Sequence, residues 1–224
     1  MGNSLLEQLQ NDIVAFIEHQ DELMFNERDF QMQLAVALRA SGNYDDVDVE
    51  YFIPNSLAAA RGYEWDSDLR LDIVVKSREE YAVVELKYPT RRIITDIQRF
   101  DTVLSGVEIV KNHGAQDIVI YNFWKDVRRI EIIKSLFPGK VAGGLAVMLT
   151  NEPYYTRGPR PGSICEAFST ADGRGNVDGL LDWTRHTATT KGLPPFSLDG
   201  RYSLSWHTTD IDNNKFYYTL IEIN

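Results

Sequence analysis

Two short runs of this chain decide its reading: Leu69-Arg70-Leu71-Asp72-Ile73-Val74-Val75 and, a few residues on, Tyr81-Ala82-Val83-Val84-Glu85-Leu86-Lys87-Tyr88. Both are rich in apolar and β-branched residues and read as strands. Each interrupts its apolar run with charge. Side chains alternate along a strand, so Glu85 and Lys87 share one face and Leu86 takes the other. If the runs pair through a turn within Lys76 to Glu80, Asp72 comes near Glu85. Two carboxylates and an ammonium would then meet at the edge of an apolar sheet, a setting suited to a hard divalent cation and a polarised water.

Upstream, Leu5, Leu6, Leu9, Ile13, Phe16 and Ile17 recur at helical spacing over Ser4 to His19. Asn26 is the expected N-cap of a second helix running to about Arg39, with Glu27 and Asp29 in its first turn, and Gly42-Asn43 ends it. Val47 to Ile53 alternates as a strand, and Asn55 to Asp68 reads as a loop. After Pro89, Thr95 to Leu104 can be written as a helix, but the pattern favours a hairpin of Phe100 to Leu104 and Val107 to Lys111 around a Ser105-Gly106 turn. Ala115 to Phe137 fits a long helix stopped by Pro138-Gly139, and Gly144 to Thr150 is a buried strand. Beyond Glu152 the texture turns rich in Gly, Pro, Thr and Arg, then Tyr202 to His207 and Phe216 to Ile223 read as strands joined at Asp212-Asn213-Asn214. The expected division is a core over residues 1–151 and a loop-rich β extension over 152–224 that returns to the same sheet.

The order of these elements resembles the PD-(D/E)XK nuclease superfamily, the restriction endonuclease-like proteins. The resemblance covers roughly residues 20–151. Its first aspartate falls on Asp72, preceded by Leu71 where the family name has proline. The E-x-K element falls on Glu85 and Lys87, and the glutamate that many members carry on the first core helix falls on Glu27. It implies an α/β (α+β) fold with an αβββαβ core around a mixed central sheet. It further implies a Mg²⁺-dependent nuclease, with Mn²⁺ as an alternative ion, acting on nucleic acid and on DNA ahead of RNA. Asp72, Glu85 and Glu27 would then hold metal, and Lys87 would orient water or stabilise charge on phosphorus. Restriction, phage defence or repair are the roles such relatives serve, and a homodimer would suit cutting of both strands.

Arg70, two residues before Asp72, is expected on the same strand face as a phosphate contact; a carboxylate pair is its plain alternative. Gln31, one helical turn after Glu27, would face the same site, and Gln116 would stand at the head of the helix behind it. Asp126 and Glu131, with Arg128 and Arg129, read as ordinary surface pairs of that helix. Trp183, Tyr202, Trp206, Tyr217 and Tyr218 offer rings for base stacking, though strand aromatics more often fill core.

Composition narrows the alternatives. In 224 residues, hydrophobic side chains make up 43% and charged ones 25%, enough for a packed core. The net charge of −10 argues against coating nucleic acid by bulk attraction, while leaving room for a local basic groove. The single cysteine, Cys165, allows no intrachain disulfide and fits a reducing, cytoplasmic setting. No leader pattern follows Met1, Leu6 breaks the myristoylation pattern, and no apolar run reaches membrane-span length. The four histidines are scattered without zinc-ligand spacing, no G-x-S-x-G elbow marks a hydrolytic serine, and Gly143-Gly144 lacks the continuation of a phosphate loop. The rival readings are a nuclease-like binding or scaffold protein without chemistry and an RNA-directed phosphodiesterase.

Overall fold

The computed structural model describes residues 4–188 and 190–224; Met1 to Asn3, at the start of the leader reading, lie outside the described residues, as does Thr189. Among the described residues the strands are β1 (Asp46–Ile53), β2 (Leu69–Ser77), β3 (Glu80–Lys87), β4 (Ile93–Arg99), β5 (Thr102–Val110), β6 (Val141–Thr150), β7 (Val177–Leu181), β8 (Phe196–Tyr202), β9 (His207–Ile211) and β10 (Asn214–Ile223). The main helices are α1 (Leu5–Glu18), α2 (Glu27–Ser41), the short α3 (Asn55–Ala59) and α4 (Gln116–Leu136). Among the described residues no helix is long and apolar enough to cross a membrane.

A six-stranded mixed sheet in the order β1-β2-β3-β6-β10-β9 forms the centre. Its inner pair, β3 and β6, is parallel, and the other neighbours are antiparallel. The β3-to-β6 return needs a crossover, which α4 supplies. One face of the sheet buries Ile73, Val84, Leu86 and Val147 against Leu9, Ile13, Phe30 and Leu34 of α1 and α2. The other buries Leu71, Val83, Ala146 and Met148 against Phe123, Trp124, Val127 and Ile130 of α4. The C-terminal extension closes over the far side of α4: Phe168, Trp183 and Phe196 belong to the same apolar cluster, and Tyr121 of α4 packs among their rings at 5.1–5.4 Å. The glycines that begin β6 serve packing. A Cβ on Gly143 would meet Ile223 O at 1.9 Å, so its smallness lets β10 lie alongside.

Local chemistry sets the elements that matter here. Asn26 caps α2, its side chain accepting the Asp29 N–H at 3.0 Å, and Gly42 ends the helix with φ 73°. The β2–β3 hairpin turns at Arg78-Glu79 between the paired Ser77 and Glu80, and Arg78 takes φ 57°. Three expectations differ. The β4–β5 turn is Phe100-Asp101, both with positive φ, not Ser105-Gly106; the Gly106 N–H is drawn to Asp96 Oδ1 at 2.8 Å, where the ladder shifts register. Residues 203–206 are not strand but the passage from β8, paired with β7, to β9 in the main sheet. Within the predicted loop, Asn55 to Ala59 forms α3, whose Ala58 is buried.

Candidate active site

The β2–β3 ladder runs from Ser77–Glu80 to Ile73–Val84 and stops. Just past its end the strands are held by a side chain: Asp72 Oδ2 accepts the Leu86 N–H at 2.7 Å. Asp72, Glu85 and Lys87 lie around this opening, Glu85 and Lys87 on the α4 face as their alternation from Val83 requires. Glu27, the first residue of α2, accepts the Tyr88 N–H at 3.0 Å, which brings the head of α2 against the end of β3. Gln31, one turn further along α2 and buried, donates to Asp72 O at 2.7 Å and to Glu50 Oε1 at 3.2 Å. Its role is to hold the β2 backbone.

From the opposite side α4 adds two residues that the sequence reading left on the surface. Asp126 is 2% exposed, and its Oδ2 lies 2.5 Å from Lys87 Nζ. Arg129 spans two carboxylates, its Nη1 3.3 Å from both Glu85 Oε1 and Asp126 Oδ1, while its Nη2 donates to Arg70 O at 2.5 Å. Glu85 is 1% exposed. A cleft of about 470 Å³ opens beside the cluster, lined by Glu27, Lys87, His113, Lys125, Asp126 and Arg129 among others. Neither Asp72 nor Glu85 lines it, while Arg129, which contacts Glu85, does.

The charges are strongly coupled. Burial pushes the Asp72 carboxyl from 3.8 up to about 6; Lys87 and the Leu86 N–H pull the other way, and the charges of Asp126 and Glu27 add to the rise. Burial also drives Glu85 well above the usual carboxylate range, against the pull of Arg129 and with further push from Asp72 and Asp126. For Lys87, burial works against the ammonium, but Asp126, Glu27, Asp72 and Glu85 outweigh it and hold the group above the ordinary lysine value. Lys125, over the Trp65 ring at 4.7 Å, is lowered to about 8 by burial and by Arg129 and Lys87, against the pull of Asp126 and Glu85.

Two predicted residues lie away from this cluster. Arg70 is exposed and stacks over the Phe52 ring at 5.4 Å. Strict alternation would give it the Asp72 face. The alternation changes phase across Asp72, since Leu71 packs on the α4 side and Ile73 on the α1–α2 side, opposite Glu50 with φ 53°. Gln116, half-buried at the head of α4, has no side-chain hydrogen bond among the described residues and is not in the cleft wall. Of the aromatics offered for stacking, Trp183 and Tyr218 are buried, and Trp206 Nε1 donates to Thr170 O at 2.7 Å.

A hard cation needs oxygen ligands with spare capacity. Among the described residues, no three His, Cys, Asp or Glu side chains are gathered as a ready ligand group. The donor chemistry does suit such an ion: the acids are carboxylates, and Glu85 Oε1 is buried without a directed hydrogen bond, whereas Asp126 Oδ2 is taken by Lys87. A buried carboxylate oxygen of this kind has capacity left for a cation. Compared with known proteins, the chain matches no family model, no curated protein and no solved structure.

Proposed function

We propose that this chain is a cytoplasmic, Mg²⁺-dependent nuclease of the PD-(D/E)XK kind, with Mn²⁺ able to replace Mg²⁺ and DNA ahead of RNA as substrate. The reading rests on one observation: Asp72, Glu85 and Lys87 converge where β2 and β3 part, with Glu27 arriving from α2. The element order α2-β1-β2-β3-α4-β6, with β4 and β5 inserted before α4, is compatible with a restriction endonuclease-like core. Asp72 and Glu85, with Glu27 beside them, would hold the cation, which when bound neutralises a phosphate oxygen and acidifies a water. Lys87 brings a fixed positive charge to the cleft wall. Held above its ordinary pKa, it acts as a donor to a phosphoryl oxygen and not as a base. Gln31 keeps the Asp72 backbone in place, and a pair of chains would cut both strands of a duplex.

A second reading has an observation in its favour. Lys87 and Glu85 already have ionic partners on α4, so the cluster would also serve a binding protein that uses it only to fix the helix to the sheet. The two separate in one assay. Plasmid, linear DNA and RNA are incubated with the protein and Mg²⁺, Mn²⁺ or chelator, beside Lys87→Ala. Cleavage that requires metal and falls by about 10²-fold or more in the variant is expected of the nuclease. Equal background from both proteins, with binding retained, leaves the binder.

A further inference from the structure

Arg129 is badly served where it stands. Its Nε is buried without a partner, and its Nη1 is shared between Glu85 and Asp126 at 3.3 Å each. Formed guanidinium–carboxylate bonds lie at about 2.7–2.9 Å and are often bidentate. Its one short bond is to the Arg70 carbonyl. Glu85, for its part, keeps Oε1 without a directed bond although it is nearly inaccessible to water. Four carboxylates (Glu27, Asp72, Glu85 and Asp126) face two inner cations, Lys87 and Arg129, with Lys125 further out over Trp65. With Lys125 counted, the acids outnumber the cations of the cluster four to three.

We propose that Arg129 is a built-in counter-ion that holds the cation's place on Glu85, and that a divalent cation entering from the cleft displaces it. This rests on the reading of Asp72 and Glu85 as cation ligands. The geometry allows the exchange: Arg129 lines the cleft and contacts Glu85, which does not line it. A guanidinium beside Glu85 opposes an incoming dication by direct repulsion and by competition for the same oxygens. Once displaced, the guanidinium projects into the cleft, where a phosphate would be its natural partner. The site therefore changes from a closed set of internal ion pairs to an open one when metal arrives. Asp126 stays on Lys87 throughout, through the closer contact of 2.5 Å, and acts as its positioning residue.

Mn²⁺ binding by the full chain, measured by titration calorimetry without substrate, tests the proposal on wild type, Arg129→Gln and Glu85→Gln, with circular dichroism to check each fold. Arg129→Gln is expected to bind Mn²⁺ at least tenfold more tightly than wild type, and Glu85→Gln to lose binding. Equal or weaker binding by a folded Arg129→Gln overturns the latch while leaving a metal-binding nuclease in place, whereas wild-type affinity in Glu85→Gln overturns the latch together with the reading of Glu85 as a cation ligand. Absence of Mn²⁺ binding in all three overturns both. A second measurement needs no variant: phenylglyoxal labelling of wild type, mapped by mass spectrometry with and without Mg²⁺. Labelling of Arg129 is expected to rise at least threefold with Mg²⁺, and labelling that Mg²⁺ leaves unchanged overturns the displacement.

Discussion

Helix α4 carries two buried acid–arginine pairs within a few residues of each other, and they are built in opposite ways. Glu131 is saturated: it accepts from the Asp199 N–H at 2.9 Å, the Gly200 N–H at 2.7 Å and the Tyr202 hydroxyl at 2.8 Å, and from Arg128 at 3.0 Å. Neither Glu131 nor Arg128 keeps a buried polar atom without a partner. In the other group Arg129 Nε and Glu85 Oε1 are buried without a directed partner, while Asp126 Oδ2 is taken by Lys87 at 2.5 Å. A buried network with every group satisfied fixes structure, and one left incomplete stores unfavourable free energy that a ligand can relieve. Both border clefts of similar size, about 480 and 470 Å³, but the first joins β8 of the extension to α4 with its acceptors filled.

That contrast is open to breakage at several points. The largest effect is expected from Glu131→Ala, which strips four donors of their acceptor at once. It should cost about 3–5 kcal/mol in urea unfolding. Glu85→Gln in chelator should shift stability the other way, because it removes a carboxylate that burial disfavours when charged. If both substitutions destabilise equally, the two clusters are of one kind.

A smaller effect follows from pH. Asp72 ionises at about 3.8 when unfolded and at about 6 when folded. Below the lower value both states hold the proton and the group adds nothing. Between the two, the folded state keeps a proton that the unfolded state releases, so rising pH favours unfolding, and above about 6 the full cost persists. In chelator, wild type should therefore lose roughly 2–3 kcal/mol relative to Asp72→Asn between about pH 4 and pH 6. Urea melts of the two proteins at four pH values measure it; parallel curves would show that Asp72 is not desolvated as the fold implies. The smallest effect is at the rim of the saturated network. Asp199, with a largely exposed side chain, also pairs with Arg128, and Asp199→Asn should cost less than about 1 kcal/mol. A loss as large as that of Glu131→Ala would move the centre of that network outward.

Much of the molecule was legible from local pattern. The strands around Asp72 and Glu85, the capped helix that carries Glu27 and Gln31, and the long helix ending at Leu136 follow from periodicity, turn residues and caps. The pairing of Glu85 with Lys87 on one face needed only the two-residue repeat of a strand. Arg70 was misplaced by that same rule, because a change of phase opposite Glu50 leaves no mark in an apolar run. Gly106 looked like a turn residue because a bulge and a turn both use its positive φ.

Asp126 and Arg129 are the instructive omission. Their i, i+3 spacing is that of any solvated helix pair, and α4 shows only modest amphipathic contrast in its sequence. What buries them is distant chain: β2 and β3 meet this face of α4 through the Arg70 carbonyl, Glu85 and Lys87. The sequence by itself determined which segments are helix and strand and which three residues carry candidate chemistry, since these depend on neighbours a few residues apart. Only the tertiary structure decided which charges are desolvated, what partners they take and which of them remain incompletely bonded, because dielectric surroundings and hydrogen-bond closure depend on residues brought together from far along the chain.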